Sequence, residues 1–516
     1  MNKIEITEQF KRALELMENT NKHILITGEA GTGKSTLLDY FRNRTSKRVV
    51  VLAPTGVAAL NLRGQTIHSF FGFKPSVTLD DVKKVVKKVP NLYTRIDAII
   101  IDEISMVRAD LLDCVDKFLR LNTFNDEPFG GKQMIFFGDL YQLPPVAVER
   151  EKKVLEQLYE TPYFFSANVM KNIDLEIIEL DRVFRQRDEK FVEILNSIRH
   201  RDIDDELLEK LNQRYIPDFE PPMDEFYVYL TSTNKKAKEI NEDRLSKLDG
   251  KLYEFLADFT DDFDENSYPA DLVLRLKVGA QVMFLNNDRY GRWVNGTVGN
   301  VVDIDPQEEI IYVKLQDGDI VEVSPFEWTI FEYIYDQRSG KIRTREIGSF
   351  IQFPLKLAWA ITIHKSQGKT FDKVVIDLSG GIFAPGQLYV ALSRCRTLEG
   401  IILKQPVEKK HIFLNWQAAR FITSREYERS SKILSMEEKI EMIDKALRED
   451  LILDIVYLKP NGKKSKRKVK PFFVGKMKYG NSEFLGLKAF CFKRKDERVF
   501  RIDRILNMNI VDTDSK

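Results

Sequence analysis

The sequence predicts an α/β protein built on parallel sheets, with further β-rich segments inserted and appended. Three observations support this fold class. Apolar runs rich in β-branched residues alternate with helical patterns over about the first 180 residues, a glycine-rich loop separates the first run from the helix after it, and the pattern changes to period two between about residues 256 and 350. Continuous apolar strands that alternate with helices are typical of a parallel sheet covered on both faces.

The predicted strands fall into two sets. The first set comprises residues 23–27, 49–53, 98–102 and 133–138, and the second set, which begins near Asp181, includes residues 226–230 and 373–377. The second set predicts another α/β domain without a phosphate loop of its own. It is interrupted by period-two stretches, with a turn signal at Asn295-Gly296, that predict a small inserted β-barrel. These stretches are residues 281–284, 298–302, 311–315 and 320–323.

A helix and a basic β-rich unit follow at the C-terminal end. Ser435 to Glu438 forms a capping box, and the helix after it has one apolar face. Strand-like alternation then occurs in residues 451–458, 468–475, 484–492 and 499–505, with a turn at Pro460-Asn461-Gly462. Residues 451–516 contain 17 Lys and Arg against 7 Asp and Glu, a net charge of +10, whereas the first 450 residues carry −9.

Composition excludes several classes of protein. Hydrophobic residues make up 43% of the chain and charged residues 31%, as in soluble globular proteins. Since no apolar run approaches the roughly 18 residues of a membrane span, we expect no membrane partner. The polar start of the chain does not resemble a signal peptide, so we expect a cytoplasmic location. Cys114, Cys395 and Cys491 are too widely spaced to indicate a zinc site or a disulfide framework.

The glycine-rich loop runs from Gly28 to Ser35 with the sequence GEAGTGKS, a G-x-x-x-x-G-K-[ST] phosphate-binding motif. An apolar strand precedes it and an amphipathic helix follows, which is the context that the motif requires. Its backbone N–H groups are expected to surround the phosphates of ATP, Lys34 to reach the β- and γ-phosphates, and the Ser35 hydroxyl to bind Mg²⁺. The loop therefore predicts a nucleoside triphosphatase.

Two further segments at strand ends have residues suited to hydrolysis. Asp102-Glu103 follows an apolar strand, so Asp102 is placed to hold Mg²⁺ in its outer shell and Glu103 to polarise the attacking water. Carboxylates at a strand end also serve as helix caps. Gln142, in the segment 138–146, is a candidate to contact the γ-phosphate and the water, and the alternative is a turn stiffened by Pro144-Pro145.

Aromatic and small polar residues are interleaved in residues 66–73. Aromatic faces stack on bases without sequence preference. Phe70, Phe71 and Phe73 can equally fill a core, and we expect that for about half of them.

Several ordered motifs between about residues 4 and 405 resemble the Pif1 family of superfamily 1B DNA helicases. The segment from Glu103 to Pro145 favours this family over RecD-like relatives. The motifs are APTGVAA at 53–59, DEISM at 102–106, FGGKQ at 129–133, GDLYQLP at 138–144, VFRQ at 183–186, LTSTN at 230–234, HKSQGKT at 364–370 and VALSRCR at 390–396.

The resemblance implies two RecA-like P-loop NTPase domains with ATP in the cleft between them, a small wedge insertion and an SH3-like β-barrel insertion. The implied boundaries are 1–64 and 91–178 for RecA-like domain 1A, 65–90 for wedge domain 1B, 179–255 and 351–420 for RecA-like domain 2A, 256–350 for SH3-like domain 2B, 421–450 for a helical linker and 451–516 for a basic C-terminal domain.

The resemblance also assigns site residues. Gln9 matches the residue that reads adenine, and Arg185 and Arg394 match the arginines that the second domain sends to the γ-phosphate. The implied catalytic set is Lys34, Glu103, Gln142, Arg185 and Arg394. The implied nucleotide-binding set is Gln9, Gly28, Ala30, Gly31, Thr32, Gly33, Lys34, Ser35, Thr36 and Gly368, with Ser35 and Asp102 at the metal. The positions matched near single-stranded DNA are Pro54, Thr55, His68, Phe70, Thr233, Asn234, Thr362, His364 and Lys365.

The C-terminal unit resembles a WYL domain through Tyr457 and residues 483–490 and 498–505. It departs from the family where Glu483-Phe484-Leu485 replaces the naming tripeptide. The basic run 463–468 is typical of a solvated hairpin tip, whereas the net charge of +10 over the whole unit favours a contact with DNA or RNA. A regulatory ligand is a further candidate partner of this unit.

The function that these inferences imply is that of an ATP-dependent DNA helicase. It is expected to move 5′ to 3′ on single-stranded DNA and to unwind duplex at forks, as a monomer that uses ATP and Mg²⁺. G-quadruplexes and RNA–DNA hybrids are further candidate substrates. The alternatives are a RecD-like motor subunit of a nuclease complex and a DNA-stimulated regulatory ATPase.

Overall fold

A computed structural model of the chain describes residues 6–74, 77–84, 92–145, 149–184, 188–222, 225–260, 268–336, 338, 341–479 and 482–511. These residues form two compact units, one within Met1–Arg199 and Ile203–Phe413 and the other within His200–Asp202 and Leu414–Lys516. Throughout the described part of the chain, every helix is too short or too polar to cross a membrane.

The first unit begins with a parallel sheet whose strands are buried along almost their whole length. In spatial order its strands are Gln65–Thr66, Val49–Ala53, Ala98–Ile101, Gln133–Phe137, His23–Gly28 and Leu175–Leu180. Every neighbouring pair is parallel, so all the carboxyl ends lie at one edge of the sheet. The continuous apolar runs predicted this arrangement because a parallel strand is covered on both faces.

A second parallel sheet in the same unit has the spatial order Ala360–Thr362, Val228–Thr231, Val374–Asp377 and Ile401–Leu403. The predicted α/β fold with two such sheets is therefore confirmed. The helices of this unit are Glu8–Asn19, Lys34–Arg42, Gly56–Asn61, Ile67–Phe71, Leu92–Arg95, Ala109–Thr123, Glu149–Leu158, Glu189–Arg199, Asp205–Asn212, Asn234–Ser246 and Gln387–Leu392.

The segment between two neighbouring strands of the second sheet is β-rich, as its period-two pattern predicts. It contains an antiparallel sheet with the order Ile320–Val323, Ile310–Leu315, Val298–Asp305, Gln281–Phe284 and Leu355–Leu357. A long hairpin of Phe326–Asp336 and Lys341–Gln352 pairs with Asp258–Phe259, and Val273–Leu276 pairs with Tyr253–Leu256. The strand Leu355–Leu357 lies beyond residue 350, where the sequence placed the end of the inserted domain.

The second unit consists of an antiparallel sheet and two helices, Trp416–Ile433 and Met436–Arg448. The predicted capping box is present, because Ser435 and Glu438 bond each other's backbone N–H groups. The sheet has the order Asp496–Arg501, Ser482–Cys491, Lys464–Tyr479, Ile452–Leu458 and Ile505–Val511. The second strand of this unit in chain order begins at Lys464 rather than at residue 468. Most of the basic run 463–468 therefore belongs to a strand, and its interpretation as a hairpin tip is wrong.

Candidate nucleotide cleft and nucleic-acid interface

The phosphate loop lines a cleft of ≈ 690 Å³ at the carboxyl edge of the first sheet. Ligands in open parallel sheets bind at this edge because the loops that follow the strands converge there. The cleft brings together eleven of the predicted residues. They are Ala30, Gly31, Thr32, Gly33, Lys34, Ser35, Thr36, Glu103, Gln142, Gly368 and Arg394.

The loop is shaped to present N–H groups at the start of the helix Lys34–Arg42. Gly33 caps this helix with φ of 86°, a left-handed conformation that strongly favours glycine. The Lys34 ammonium donates to the carbonyl oxygens of Gly28 (2.9 Å) and Glu29 (2.8 Å), while Ser35 is exposed to the cleft. The positive end of the helix dipole and the ammonium therefore face the same space, where an anionic group is stabilised.

Two adjacent carboxylates lie at the end of the strand Ala98–Ile101. Burial raises the pKa of Asp102 to about 7, and the Glu103 carboxylate adds to the shift. Burial also raises the pKa of Glu103, while the positive charges of Lys34 and Arg394 oppose that rise. Glu103 has φ of 49°, a left-handed conformation that is uncommon outside glycine and is often found at functional sites.

These carboxylates and the Ser35 hydroxyl fit a magnesium ion. Oxygen ligands are those that Mg²⁺ prefers, and a divalent cation would stabilise the charged forms that burial disfavours in both carboxylates. Within the described residues, no group of three or more His, Cys, Asp or Glu side chains is suited to hold a metal. Mg²⁺ at nucleotide sites is usually held by one or two carboxylates together with phosphate oxygens.

The opposite wall of the cleft comes from the segments that accompany the second sheet. Arg394 is 1% exposed, and its guanidinium donates to the carbonyl oxygens of Val390 (2.9 Å), Lys369 (3.3 Å) and Ser366 (3.4 Å). Gln142, from the first sheet, accepts a hydrogen bond from the side-chain amide of Gln367 (3.2 Å). The side chain of Arg394 is thus held in place by its own domain at the lining of the cleft.

The remaining predicted nucleotide residues lie beside the cleft or outside the described residues. The side-chain amide of Gln9 donates to Asp181 (2.8 Å), a residue that lines the cleft. Gly28 packs so closely on Leu180 that a Cβ atom would lie 2.5 Å from the Leu180 carbonyl oxygen. Arg185 lies outside the described residues.

The predicted DNA residues lie at the carboxyl ends of strands in both parallel sheets or close to them. Thr55 follows Val49–Ala53, is exposed and caps the next helix, and Pro54 precedes it. Thr233 caps the helix that begins at Asn234, after the strand Val228–Thr231. The neighbouring strand Ala360–Thr362 pairs Thr362 with Thr231, and His364 and Lys365 follow it.

Two of the predicted DNA residues are partly withdrawn from solvent. Thr362 is 5% exposed, and its hydroxyl accepts a hydrogen bond from the backbone N–H of Lys365 (3.3 Å). His68 lies in the short helix Ile67–Phe71, where burial lowers its pKa and the positive charge of Arg108 adds to the effect.

The model of the PIF1-like helicase family matches residues 5–208, and that of the WYL domain matches residues 438–510. The chain is 33% identical to the ATP-dependent DNA helicase Pif1 of Bdellovibrio bacteriovorus over 415 residues, which is 78% of this chain and 88% of that protein. It is 31% identical to the PIF1 helicase of Saccharomyces cerevisiae, of which it spans 59% of the length.

The chain belongs to the Pif1 family of ATP-dependent DNA helicases. Its fold agrees with this, because it superimposes on Pif1 from Bacteroides sp in complex with ADP-AlF4 with a TM-score of 0.75 and 38% identity, covering 83% of this chain and 98% of that one. For Bacteroides Pif1 bound to ssDNA the TM-score is 0.61, with 38% identity and the same 83% and 98% coverage. The predicted family and the predicted WYL domain are confirmed.

The predicted site residues do not include every residue of the cleft. Phe184 is 47% exposed, and its backbone N–H donates to the carbonyl oxygen of Gly31 (2.9 Å). Thr7, Phe10 and Arg182 also line the cleft. The sequence contained a signal for these residues. Thr7 and Phe10 lie near Gln9, and Arg182 and Phe184 follow the strand Leu175–Leu180, whose carboxyl end lies at the same sheet edge as the phosphate loop.

The structure corrects the prediction that Phe70 contacts DNA. Phe70 is 6% exposed and makes edge-on ring contacts with Phe71 (4.8 Å), Tyr93 (5.6 Å) and Tyr333 (5.8 Å) between ring centroids. Phe71 is 4% exposed and belongs to the same cluster. A ring enclosed on its faces and edges has no surface for a base, so Phe70 stabilises the fold.

Replacing Phe70 by Ala therefore should destabilise the protein, by about 3–5 kcal/mol as for other buried Phe→Ala changes. Thermal unfolding measures the loss. The affinity for single-stranded DNA should be unchanged when it is measured at low temperature and calculated for the folded fraction of the protein. A large loss of affinity with an unaltered melting temperature would contradict the burial of this ring.

Proposed function

We propose that this chain hydrolyses ATP in the cleft and uses the cycle to move 5′ to 3′ along single-stranded DNA and unwind duplex at forks. The observation that carries the proposal is the composition of the cleft, where Lys34 and Glu103 come from segments of the first sheet and Arg394 from a segment of the second. A nucleotide bound by residues from both groups of segments would connect the two sheets. The structures of its Bacteroides relatives in complex with ADP-AlF4 and with ssDNA support both ligands.

Each residue of the cleft is proposed to have a separate role in phosphoryl transfer. Lys34 and the loop N–H groups bind the phosphates, while Glu103 orients and polarises the attacking water. Gln142 is placed to contact that water and the γ-phosphate, and it also bonds Gln367 of the opposite wall, so it can report hydrolysis across the cleft. Arg394 stabilises the charge that spreads over the phosphoryl oxygens. Mg²⁺, held by Ser35 and by Asp102 in its outer shell, would neutralise phosphate charge when bound.

The single strand is proposed to cross the loops that carry Thr55, Thr233 and His364. His364 stacks on Phe383, with ring centroids 6.3 Å apart and planes 12° apart. Phe383 is 62% exposed, so a second aromatic face is open beside the predicted DNA residues. Stacking on such a face suits movement along DNA because it does not depend on the base.

Lys34→Ala should abolish both ATP hydrolysis and unwinding, because it removes the ammonium that binds the phosphates. ATP hydrolysis is measured with and without single-stranded DNA. The control is Lys22→Ala, which removes an exposed lysine paired with Glu176 outside the cleft and should leave both activities unchanged. Unwinding that survives Lys34→Ala would overturn the assignment of the cleft.

Polarity and the two alternative functions are tested with matched duplexes that have either a 5′ or a 3′ single-stranded tail. We expect unwinding of the 5′-tailed duplex by the chain alone. Preference for the 3′ tail would overturn the direction. DNA-stimulated ATP hydrolysis without strand separation would favour the regulatory ATPase, and unwinding that requires copurified nuclease subunits would favour the RecD-like motor. Replacing the duplex by a G-quadruplex or an RNA–DNA hybrid then tests those substrates.

Phe383→Ala should weaken binding of single-stranded DNA by about 1–3 kcal/mol, roughly 5- to 150-fold in Kd, since it removes a stacking face. The melting temperature should change little because the ring is exposed. Fluorescence anisotropy of a labelled oligothymidylate measures the affinity. Phe413→Ala is the matched control, since Phe413 is 49% exposed and outside the predicted DNA residues. Equal losses in both variants would refute a specific role for Phe383.

For the C-terminal unit we propose a second nucleic-acid contact, on the sheet face defined by Phe473, Lys488, Phe490 and Val499. Phe473 and Val499 are both cross-strand partners of Lys488, and Phe490 is two residues further along the same strand, so these residues share a face. Their exposures are 48% for Phe473, 37% for Phe490 and 48% for Val499. The Lys488 ammonium lies 5.7 Å from the centre of the Phe473 ring.

As the partner of this face we favour nucleic acid over a small regulatory ligand, because the face is exposed and combines aromatic rings with positive charge. The inward residues of the same strand, Leu487, Ala489 and Cys491, are buried in one core with Ile443 of the helix. Single-strand binding surfaces combine stacking rings with cations that follow the backbone. The net charge of +10 in residues 451–516 adds the release of counterions.

The two parts of this surface should respond differently to substitution in the full chain. Phe473→Ala should weaken binding of single-stranded DNA about equally at all salt concentrations, because stacking is not ionic. Lys488→Ala should reduce the slope of log K against log[salt] by about 0.7, the value for one phosphate contact on a single strand. Titrations between low and moderate salt measure both. No effect of either variant would refute the proposed face and leave a ligand-binding role.

A further inference from the structure

A buried polar cluster joins the phosphate loop to the segment that carries Arg394. We call Tyr389, Asp139, Arg199 and Tyr141 the Tyr389 cluster. Their exposures are 3%, 1%, 4% and 3% in that order. Asp139 and Tyr141 follow the first sheet, at the end of the strand Gln133–Phe137. Arg199 ends the helix Glu189–Arg199, and Tyr389 lies in the helix Gln387–Leu392, both of which pack in the core of the second sheet.

The Tyr389 hydroxyl uses both its donor and its acceptor capacity. It donates to a carboxylate oxygen of Asp139 (3.2 Å) and accepts from the backbone N–H of Ala30 in the phosphate loop (3.0 Å). The other carboxylate oxygen of Asp139 accepts from the guanidinium of Arg199 (3.1 Å) and from the backbone N–H of Tyr141 (3.1 Å). One hydroxyl thus connects the loop, the end of a strand and a helix of the opposite wall.

The rest of the cluster fixes this hydroxyl in place. Burial alone would raise the pKa of Asp139, but Arg199 and Lys34 outweigh it and hold that pKa below its usual value, so the carboxylate is a charged acceptor. The guanidinium of Arg199 also lies 4.3 Å from the centre of the Tyr141 ring. The helix of Tyr389 is capped by Gly386, where a Cβ atom would lie 2.3 Å from the Tyr141 carbonyl oxygen.

Breaking these contacts would be costly, because separating Asp139 from Arg199 would leave two buried charges without their partners. The Tyr389 cluster therefore connects the two walls of the cleft. Arg394 lies five residues after Tyr389, directly beyond the same short helix, and lines the cleft.

We propose that Tyr389 is a positioning residue for ATP hydrolysis, whose hydroxyl sets the distance between the phosphate loop and Arg394. The inference rests on the proposed role of Arg394 in the cleft. It goes beyond that role, because Tyr389 is not among the described residues that line the cleft and would act through the placement of two groups that do line it. A displacement of about 1 Å at a reacting centre is enough to lower a rate about 100-fold.

The test is Tyr389→Phe in the full chain, which removes one oxygen atom and keeps the ring. The kcat for DNA-stimulated ATP hydrolysis should fall about 10- to 100-fold, while the KM for ATP changes less than about threefold, because Lys34 and the loop still bind the phosphates. The affinity for ADP should be unchanged, and the tightening that aluminium fluoride adds to ADP binding should fall about 10-fold. Fluorescent ADP with and without aluminium fluoride measures this ratio.

The matched control is Tyr159→Phe. Tyr159 is 7% exposed, and its hydroxyl donates to the carboxylate of Asp113 (2.9 Å), so this variant also removes one buried hydroxyl that is bonded to a carboxylate. Neither Tyr159 nor Asp113 is among the described residues that line the cleft. Both variants should lower the melting temperature to a similar extent, whereas kcat and the aluminium fluoride ratio should fall only in Tyr389→Phe. An equal fall in both variants, or in neither, would overturn the proposal.

Arg394→Ala separates this proposal from the one on which it rests. If Arg394→Ala abolishes the aluminium fluoride tightening and Tyr389→Phe does not alter it, Arg394 keeps its role and the positioning role of Tyr389 is refuted. If Arg394→Ala leaves both the tightening and kcat unchanged, the assignment of Arg394 fails. A fall of the ratio in both variants supports Tyr389 acting through Arg394.

Discussion

The positive charge of Lys34 in the phosphate loop is the constraint on which the organisation of the cleft depends. Burial lowers the pKa of this ammonium, while the carboxylates of Asp139 and Glu103 oppose that shift. Both carboxylates rely on positive groups in turn, Arg199 and Lys34 for Asp139, and Lys34 and Arg394 for Glu103. Each of these charges therefore has more than one partner of opposite sign, and the partners come from segments of both parallel sheets.

This dependence explains which parts of the site the sequence could predict. Gly28 to Ser35 is a local motif, because the strand, the loop and the helix are contiguous and their geometry follows from a few residues. Asp102 and Glu103 were also predictable, since a carboxylate at the end of a parallel strand must face the same edge as the loop. The bond between Tyr389 and Asp139 was not, because 250 positions separate the two residues and no periodic pattern records their contact.

The burial of the aromatic side chains was also not determined by the local sequence. Phe70, Phe71 and Phe73 lie within four positions, and the pattern allowed either stacking on DNA or a core. The structure buries Phe70 and Phe71 because Tyr93 and Phe118 surround them, and Tyr333 reaches Phe70 from the inserted hairpin. Phe383 is exposed next to His364. Distant chain segments therefore determine which aromatic ring stays exposed.

The inserted β-rich segment shows how the second sheet keeps its geometry despite a long interruption. The strands on either side, Val228–Thr231 and Ala360–Thr362, are direct neighbours and in register, with Thr231 opposite Thr362. An insertion whose ends meet at adjacent strands leaves the sheet between them intact. The loops at the carboxyl ends of these strands carry Thr233 and His364. The inserted segment leads into Ala360–Thr362 at the amino end of that strand, so it joins the sheet at the edge opposite to these loops.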